Sequence, residues 1–444
     1  MANVFWFRRD LRLADHPALN SALESSDKVY LIATADVLGA KFSELSDLRK
    51  NSLRASWSAL SGSLGGKLTV VESPSQLVKM AGELRVSKVF ASKVFDTMGV
   101  RELEAIGKDL RASGIELVTA GGNYAVEPGL VRKGDGTPYR VYTPFFNEWF
   151  KIDPGIPVKP FSRVAVADAL PGAWDPKVEL GSDIRAGESF ALETLQKFLD
   201  HRVHEYSEKR NRPDVGGTSH LSHALSHGEI HPRTILASIP NGLGGDVFRK
   251  EIAWREFYAD VLWHNPESHN DYLDAKYSQM QYNFDEDVLA LWQKGLTGYP
   301  MVDAGLRQLR TTGWMHNRVR MIVASFLVKD LHFEWQHGAK WFEENLTDFD
   351  PASNSHGWQW TAGCGTDASP YYRVFNPVMQ GLKFDPNGDY VRKFIPELRH
   401  LEGAAAHEPW NSPDGYRNGY PQQMVNHAAE RIESLARLES LKNH

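Results

Sequence analysis

The chain has 444 residues, 42% of them hydrophobic and 24% charged, and a formal net charge of −6. This balance is ordinary for a globular protein and excludes a chain that binds polyanions over its whole surface, so contact with nucleic acid requires a local basic patch. A single cysteine, Cys364, excludes an internal disulfide and a cysteine-rich metal site. No run approaches the roughly 18 apolar residues of a membrane span. The N-terminal MANVFWFRRDLRL places only a short apolar run before Arg8, Arg9 and Arg12, unlike a secretory leader, and a cytoplasmic, monomeric protein is expected.

Short apolar runs at Val4–Phe7, Val29–Ala33, Leu68–Val71, Lys88–Ala91 and Glu116–Thr119 alternate with amphipathic segments such as Asp47–Leu60, Pro74–Leu84 and Arg101–Ala112. This alternation predicts a Rossmann-like α/β domain with a parallel sheet over residues 1–130. The glycine-rich fingerprints of dinucleotide and nucleoside-triphosphate sites are missing after the first strand. Gly121, Gly122 and Pro128 begin a stretch punctuated by Pro138, Pro144, Pro154, Pro157, Pro160 and Pro171. Residues 131–185 therefore read as a long interdomain linker, with a short helix at Pro144–Phe150. Helical patterns then follow one another at Glu188–Tyr206, Phe248–Trp263, Val302–Leu309, Trp314–Lys329 and Gly338–Leu346. Residues 186–444 are predicted to form an all-helical domain. The tryptophans crowd this half of the chain; they suit a core, and equally stacking on bases or flavins and electron transfer.

Four strings combine residue types that carry chemistry. Thr218, Ser219 and Ser222 follow Gly216-Gly217, a pattern that either binds phosphate at a helix start or caps the helix beginning near Ser222. Glu251, Trp254 and Arg255 share one helical face, which suits a flat polar ligand such as a base, or a surface ion pair beside a core tryptophan. Asn317, Arg318 and Arg320 precede an apolar run; their anionic partners are DNA phosphate, flavin pyrophosphate, or Asp348 and Asp350. Asp348, Asp350, Asn354, Trp358 and Trp360 fall within thirteen residues and mark a ligand site whose ligand the residue types do not name.

The strings VFWFRRDLRLADHPAL, GTSHLS, EIAWREFY, TGYPMVDAGLRQLRTTGWMHNRVRMIVASFLVKDL, GWQW and RVFNP together resemble the DNA photolyase/cryptochrome family, nearest to its class I-type cyclobutane pyrimidine dimer photolyases. The resemblance spans nearly the whole chain. It implies an α/β antenna domain, a linker and a helical domain that holds FAD. Tyr206, Thr218, Ser219, Leu221 and Ser222 would surround the pyrophosphate. Glu251, Arg255, Asn317, Arg320, Asp348, Asp350 and Asn354 would line the flavin and adenine, with Asn354 facing flavin N5.

The implied activity is light-dependent repair: an electron from excited, reduced FAD splits a cyclobutane pyrimidine dimer flipped out of UV-damaged DNA. Glu251, Asn317 and Asn354 are the expected catalytic residues. Trp254, Arg318, Met321, Trp360 and Arg373 are the expected DNA contacts. Trp358 and Trp335 match the first two members of the family's electron chain, and Tyr282 stands where the outermost tryptophan is usual. Met98-Gly99 replaces the Asn-Glu pair of folate-binding members, so the implied antenna is 8-hydroxy-5-deazaflavin rather than methenyltetrahydrofolate, or none. The competing readings are a cryptochrome photoreceptor and a (6-4) photolyase. Asn354 argues against the first, and His316-Asn317, in place of a histidine pair, against the second.

Overall fold

The computed structural model describes residues 2–36, 41–160, 166–172, 174, 185–367 and 372–441. Strands β1 (Asn3–Phe7), β2 (Val29–Thr34), β3 (Leu68–Val71), β4 (Lys88–Ala91) and β5 (Glu116–Thr119) form one parallel sheet in the order β3-β2-β1-β4-β5. Helices α1 (Pro17–Glu24), α2 (Asp47–Ser63), α3 (Pro74–Glu83) and α4 (Thr97–Ala112) alternate with these strands. They are followed by α5 (Tyr142–Trp149), α6 (Glu188–His201), α7 (Tyr206–Lys209), α8 (Ser222–His227), α9 (Pro232–Ser238) and α10 (Leu243–His264). The remainder comprises α11 (Glu286–Lys294), α12 (Pro300–Thr312), α13 (Asn317–Ser325), α14 (Trp335–Asn345), α15 (Pro351–Ala362), α16 (Pro377–Phe384), α17 (Asp389–Phe394) and α18 (His427–Ser440). The backbone separates into two compact units: Met1–His204 with Ser219–Pro266, and Glu205–Thr218 with Glu267–His444.

In the first unit both faces of the sheet are covered, and β1 to β3 are buried along their whole length. Phe5, Phe7, Leu31 and Val70 pack on one side with Leu53, Trp57 and Leu60 of α2. Val4, Trp6, Ile32 and Val71 pack on the other with Leu77 and Ala81 of α3 and Ile106 and Leu110 of α4. The charged string after β1 is buried rather than solvated. Arg12 donates to Asn123 Oδ1 and to the carbonyls of Asp15 and Gly228. Asp15 takes a forked pair from Arg233 of α9, and Glu188 of α6 accepts from the Leu13 and Ala14 amides. These bonds fasten α6, α8 and α9 to the carboxyl end of β1. Part of the expected linker, residues 161–165, 173 and 175–184, lies outside the described residues.

In the second unit α12 starts on a buried carboxylate. Asp303 accepts from the Thr297 amide and hydroxyl, the Gly298 amide and the Tyr420 hydroxyl. Gly305 lets α12 lie directly on α13, because a Cβ there would overlap Val319. Two expected helices are shorter than their periodicity implied. Glu188–Tyr206 ends at His201. Trp314–Lys329 begins at Asn317, because Gly313 at φ +67° ends α12 and His316 caps α13 through its ring, and it passes into a π-helical turn at Phe326–Asp330.

A small cavity of about 30 Å³ sits beyond the carboxyl ends of β1 and β4, at the point where the strand order reverses. Arg8, Asp10, Ser92, Gly99 and Glu102 line it. Gly99 is in the first turn of α4, where its amide bonds the Asp96 cap and a Cβ would press on the same carboxylate. Burial lifts the Glu102 carboxyl from 4.5 to about 7, and Arg8, 3.8 Å away, offsets only part of this. Between these two values the folded protein keeps a proton that the unfolded chain has released. Stability therefore falls as pH rises through that window, and the loss is complete above about 7. Glu102→Gln is expected to raise the melting temperature relative to the parent at pH 8 and to change it little at pH 4; an equal gain at both pH values would show that Glu102 is not the titrating group.

Candidate functional site

The residues singled out in the sequence fall on both units. On the first, α10 presents Glu251, Trp254 and Arg255. Trp254 lies flat on Tyr142 of α5, with ring centroids 3.8 Å apart and planes 8° from parallel. The Tyr142 hydroxyl donates to the Lys250 carbonyl, one residue before Glu251, which fixes this platform to its own helix. Arg255 donates to the Asn123 carbonyl and sits 4.5 Å from the Tyr124 ring, which anchors it in the unit. Glu256, beside it, is fully buried and accepts from the Ala125 and Val126 amides and the Trp149 indole. Burial raises its carboxyl above the ordinary range despite these bonds. Ser219, Leu221 and Ser222 lead into α8. No side chain caps this helix, and Ser219 Oγ accepts from the Leu221 amide. His220 between them holds φ +57°, a left-handed backbone that a non-glycine residue adopts rarely.

On the second unit Arg320 pairs with Asp348, one of the several anionic partners that its residue type left open. Arg320 Nη2 reaches both carboxylate oxygens, at 3.0 and 2.7 Å, and Nε donates to the Met315 carbonyl. The Asp348 side chain is 1% exposed and that of Arg320 is 24% exposed, so the cation faces outward from a buried anion. Asp350 caps α15 by accepting from the Ser353 amide. Asn354, one turn into that helix, donates to the Ala339 carbonyl, which orients its amide. Trp358 lies one turn further on the same helical face. Asn317 is exposed at the start of α13, and Met321, one turn later, is half-buried. Tyr206 is buried beneath Arg210, and Thr218 follows Gly217, where a Cβ would press on Lys209.

Arg318 donates to Asn211 Oδ1 and lies over Phe384. Trp360 donates its indole N–H to the Asp367 carbonyl and borders a pocket of about 570 Å³. Lys276, Lys329 and Arg373 face this pocket together with Tyr277, Tyr372 and Phe375. Lys329 donates to the Arg373 carbonyl, and burial lowers its ammonium to about 7. Cations interleaved with rings are what a nucleic-acid strand requires. Tyr142 and Lys329 lay outside the expected site residues. Tyr142 falls in the proline-rich stretch, where periodicity is short, and Lys329 reads as the solvated end of an apolar run.

Two family models match the chain, "DNA photolyase" over residues 3–162 and "FAD binding domain of DNA photolyase" over residues 248–440. A deoxyribodipyrimidine photo-lyase of Agrobacterium fabrum is 37% identical, over 99% of this chain and 98% of its own length. The chain belongs to the DNA photolyase/cryptochrome family. The Escherichia coli photo-lyase is 34% identical over 99% of both chains. Among solved structures, a bacterial class III photolyase from Agrobacterium tumefaciens superposes with a TM-score of 0.90 at 35% identity, covering 100% of this chain and 98% of that one. A Synechocystis cryptochrome gives 0.88 at 28% identity, over 98% and 99%.

The chain is thus a flavin-binding enzyme of the photolyase kind, and its residues fit FAD. The outward-facing Arg320 guanidinium suits an electron-rich ring, with the buried Asp348 keeping it in place. The amide of Asn354 presents a polar edge whose orientation Ala339 fixes. Among the described residues no cluster of His, Cys, Asp or Glu could hold a metal ion, and no helix is long and apolar enough to cross a membrane.

Removing one partner of a buried ion pair leaves an uncompensated charge. Arg320→Ala is therefore expected to cost about 3–5 kcal/mol in denaturant unfolding, and Asp348→Asn clearly less, since its amide still accepts a hydrogen bond. Equal losses would show that Asp348 is hydrated after Arg320 is removed.

Proposed function

We propose that the protein repairs cyclobutane pyrimidine dimers in UV-damaged DNA, driven by light absorbed by reduced FAD. The observation that carries this reading is the aromatic platform of Trp254 on Tyr142, with Glu251 one turn earlier on the same helix. A base stacks on such a platform, and a carboxyl at that distance along the helix hydrogen-bonds the base edge. FAD supplies light absorption and the transferred electron.

The chain supplies the rest. Tyr206, Thr218, Ser219, Leu221 and Ser222 are assigned to the cofactor's pyrophosphate, and Glu251, Arg255, Asn317, Arg320, Asp348, Asp350 and Asn354 to its rings. Trp254, Trp360, Met321 and Asn317 hold the flipped dimer, and Arg318 and Arg373 contact the flanking phosphates. Glu251, in its protonated form, would donate a hydrogen bond to the dimer carbonyls as negative charge develops on them, the moment at which a positioned donor counts most. Trp358 and Trp335 relay electrons that keep the cofactor reduced. Residues 1–130, 131–185 and 186–444 are read as antenna domain, linker and catalytic domain of a monomer. The class I-type reading of the motifs stands beside a class III structural neighbour.

Purified protein should retain flavin absorption through gel filtration and, once reduced, restore thymines from a dimer-containing oligonucleotide only under illumination. A flavin-loaded protein that leaves dimers intact would transfer the chain to the photoreceptor side of the family. Trp254→Ala should weaken binding to damaged DNA by about 1–3 kcal/mol, the worth of one base stacked on an aromatic ring. Binding should also weaken with salt as phosphates release counterions, and a salt-independent affinity would remove Arg318 and Arg373 from the interface.

A further inference from the structure

The tryptophan pair continues into Tyr272, which no motif marked, and Tyr282, which the resemblance puts at the outer end of the relay. Trp358 and Trp335 are almost completely buried. Trp358 packs against α14 at Gly338, one turn from Trp335, where any Cβ would overlap its ring. Neither indole N–H has an acceptor among the described residues. The ring that touches Trp335 on the outward side is Tyr272, with centroids 6.2 Å apart and planes 89° apart. Tyr272 in turn stacks on Tyr282, with centroids again 6.2 Å apart and planes at 23°. Both phenols are half-buried, so the line of rings runs from the core toward the surface.

The two hydroxyls are hydrogen-bond partners of each other and differ in their further partners. Tyr282 donates to the Tyr277 carbonyl at 3.1 Å, an oxygen that cannot take a proton to keep. Tyr272 donates to Glu334 Oε1 at 3.2 Å, a carboxylate on the residue adjoining Trp335. The segment that carries Tyr272 is held in register by α15. Gln359 bonds the Leu273 amide and the Ser268 and Asp271 carbonyls, and Ser355 donates to the His269 carbonyl.

We propose that Tyr272, with Glu334 as its proton acceptor, is the terminal electron donor of the relay, and that Tyr282 buttresses it. The proposal rests on the relay role of Trp358 and Trp335 given above. Photo-excited, oxidised flavin is the oxidant that leaves an electron vacancy on Trp335. One electron passes from Tyr272 to the Trp335 radical cation and restores the neutral indole. The Tyr272 O–H bond breaks, its proton moves to Glu334 Oε1, and a neutral tyrosyl radical remains for an external thiol to reduce. Burial and the contact with Tyr282 hold the Tyr272 phenol above its ordinary range, so it is protonated beforehand and electron and proton leave together.

The test uses the FAD-loaded, oxidised protein, flashed with blue light in the presence of a thiol. Transient absorption and electron spin resonance with ring-deuterated tyrosine identify the radical. Time-resolved infrared reads the carboxylic-acid C=O band that appears when Glu334 is protonated. A tyrosyl radical is expected whose formation slows in D2O. It should survive Tyr282→Phe and disappear in Tyr272→Phe, a change that keeps the ring and its packing. Glu334→Gln should lower its yield by about tenfold or more and abolish the infrared band. Wild-type radical yield in Tyr272→Phe, or a C=O band retained in Glu334→Gln, overturns the proposal. Trp335→Phe separates the two levels. If it leaves radical formation intact, the relay reading itself fails; if it abolishes radical formation while Tyr272→Phe does not, only the terminal-donor assignment fails.

Discussion

The buried amide of Gln359 is the constraint on which most of the second unit's chemistry depends. It has no exposure, and both ends of the amide are satisfied by backbone, the oxygen by Leu273 and the nitrogen by Ser268 and Asp271. A buried amide that lost even one of these partners would cost about 1–3 kcal/mol, so helix and loop hold each other in one register. That register sets where Asn354, Trp358 and Trp360 emerge from α15. It also sets where Tyr272 emerges from the loop. The helix is apolar or satisfied nearly all round, which removes the amphipathic signal and explains why periodicity did not mark Pro351–Ala362 as a helix.

The first unit depends on buried charge in a comparable way. Arg12 is 1% exposed, and the chain buries it only because carbonyls of three segments and Asn123 surround it. Asp15 and Arg233 repeat the device one turn away. Such pairs add little net stability over apolar residues of equal size, but they tolerate only one arrangement of their partners. Here that arrangement fastens α8, α9 and the Asn123 segment to the sheet, and Asn123 in turn accepts the guanidinium of Arg255 on the helix that carries Trp254. The platform of Trp254 on Tyr142 is thus connected to the end of β1 by polar bonds that sequence periodicity cannot register.

What the sequence made legible follows from this. The parallel sheet was readable because short apolar runs recur between amphipathic segments, and three of the five strands, Leu68–Val71, Lys88–Ala91 and Glu116–Thr119, begin and end at the expected residues. Helix ends were less readable, because caps decide them. Asp96 starts α4 four residues before the periodic pattern, and the His316 ring starts α13 three residues after it. That Arg320 would need an anionic partner could be expected from the cost of an unpaired arginine beside an apolar run, but the choice of Asp348 among several anions could not. The bond from Arg255 to the Asn123 carbonyl, 132 residues away along the chain, could not be read from the sequence. Tyr142 and Tyr272 lay in stretches without periodicity, and only the fold shows which rings they meet.

The order of side chains along the aromatic line has its own physical logic. An indole keeps its proton when it loses an electron unless a base is at hand, and the N–H groups of Trp358 and Trp335 meet none among the described residues. A vacancy there carries charge in a low-dielectric interior, where charge is costly, and the same cost drives it onward. A phenol bonded to a carboxylate removes the charge from the radical by giving up its proton, so the vacancy becomes neutral at the first ring that has such a partner. Placing that ring half-buried, at the outer end of the line, lets a reductant reach it while the indoles stay dry. Exchanging the order, with the hydrogen-bonded phenol inside and the bare indole outside, would trap the vacancy beside the cofactor and favour its return. In the proposed relay the carboxylate of Glu334 would therefore favour the outward direction, by taking the proton that the oxidised phenol gives up.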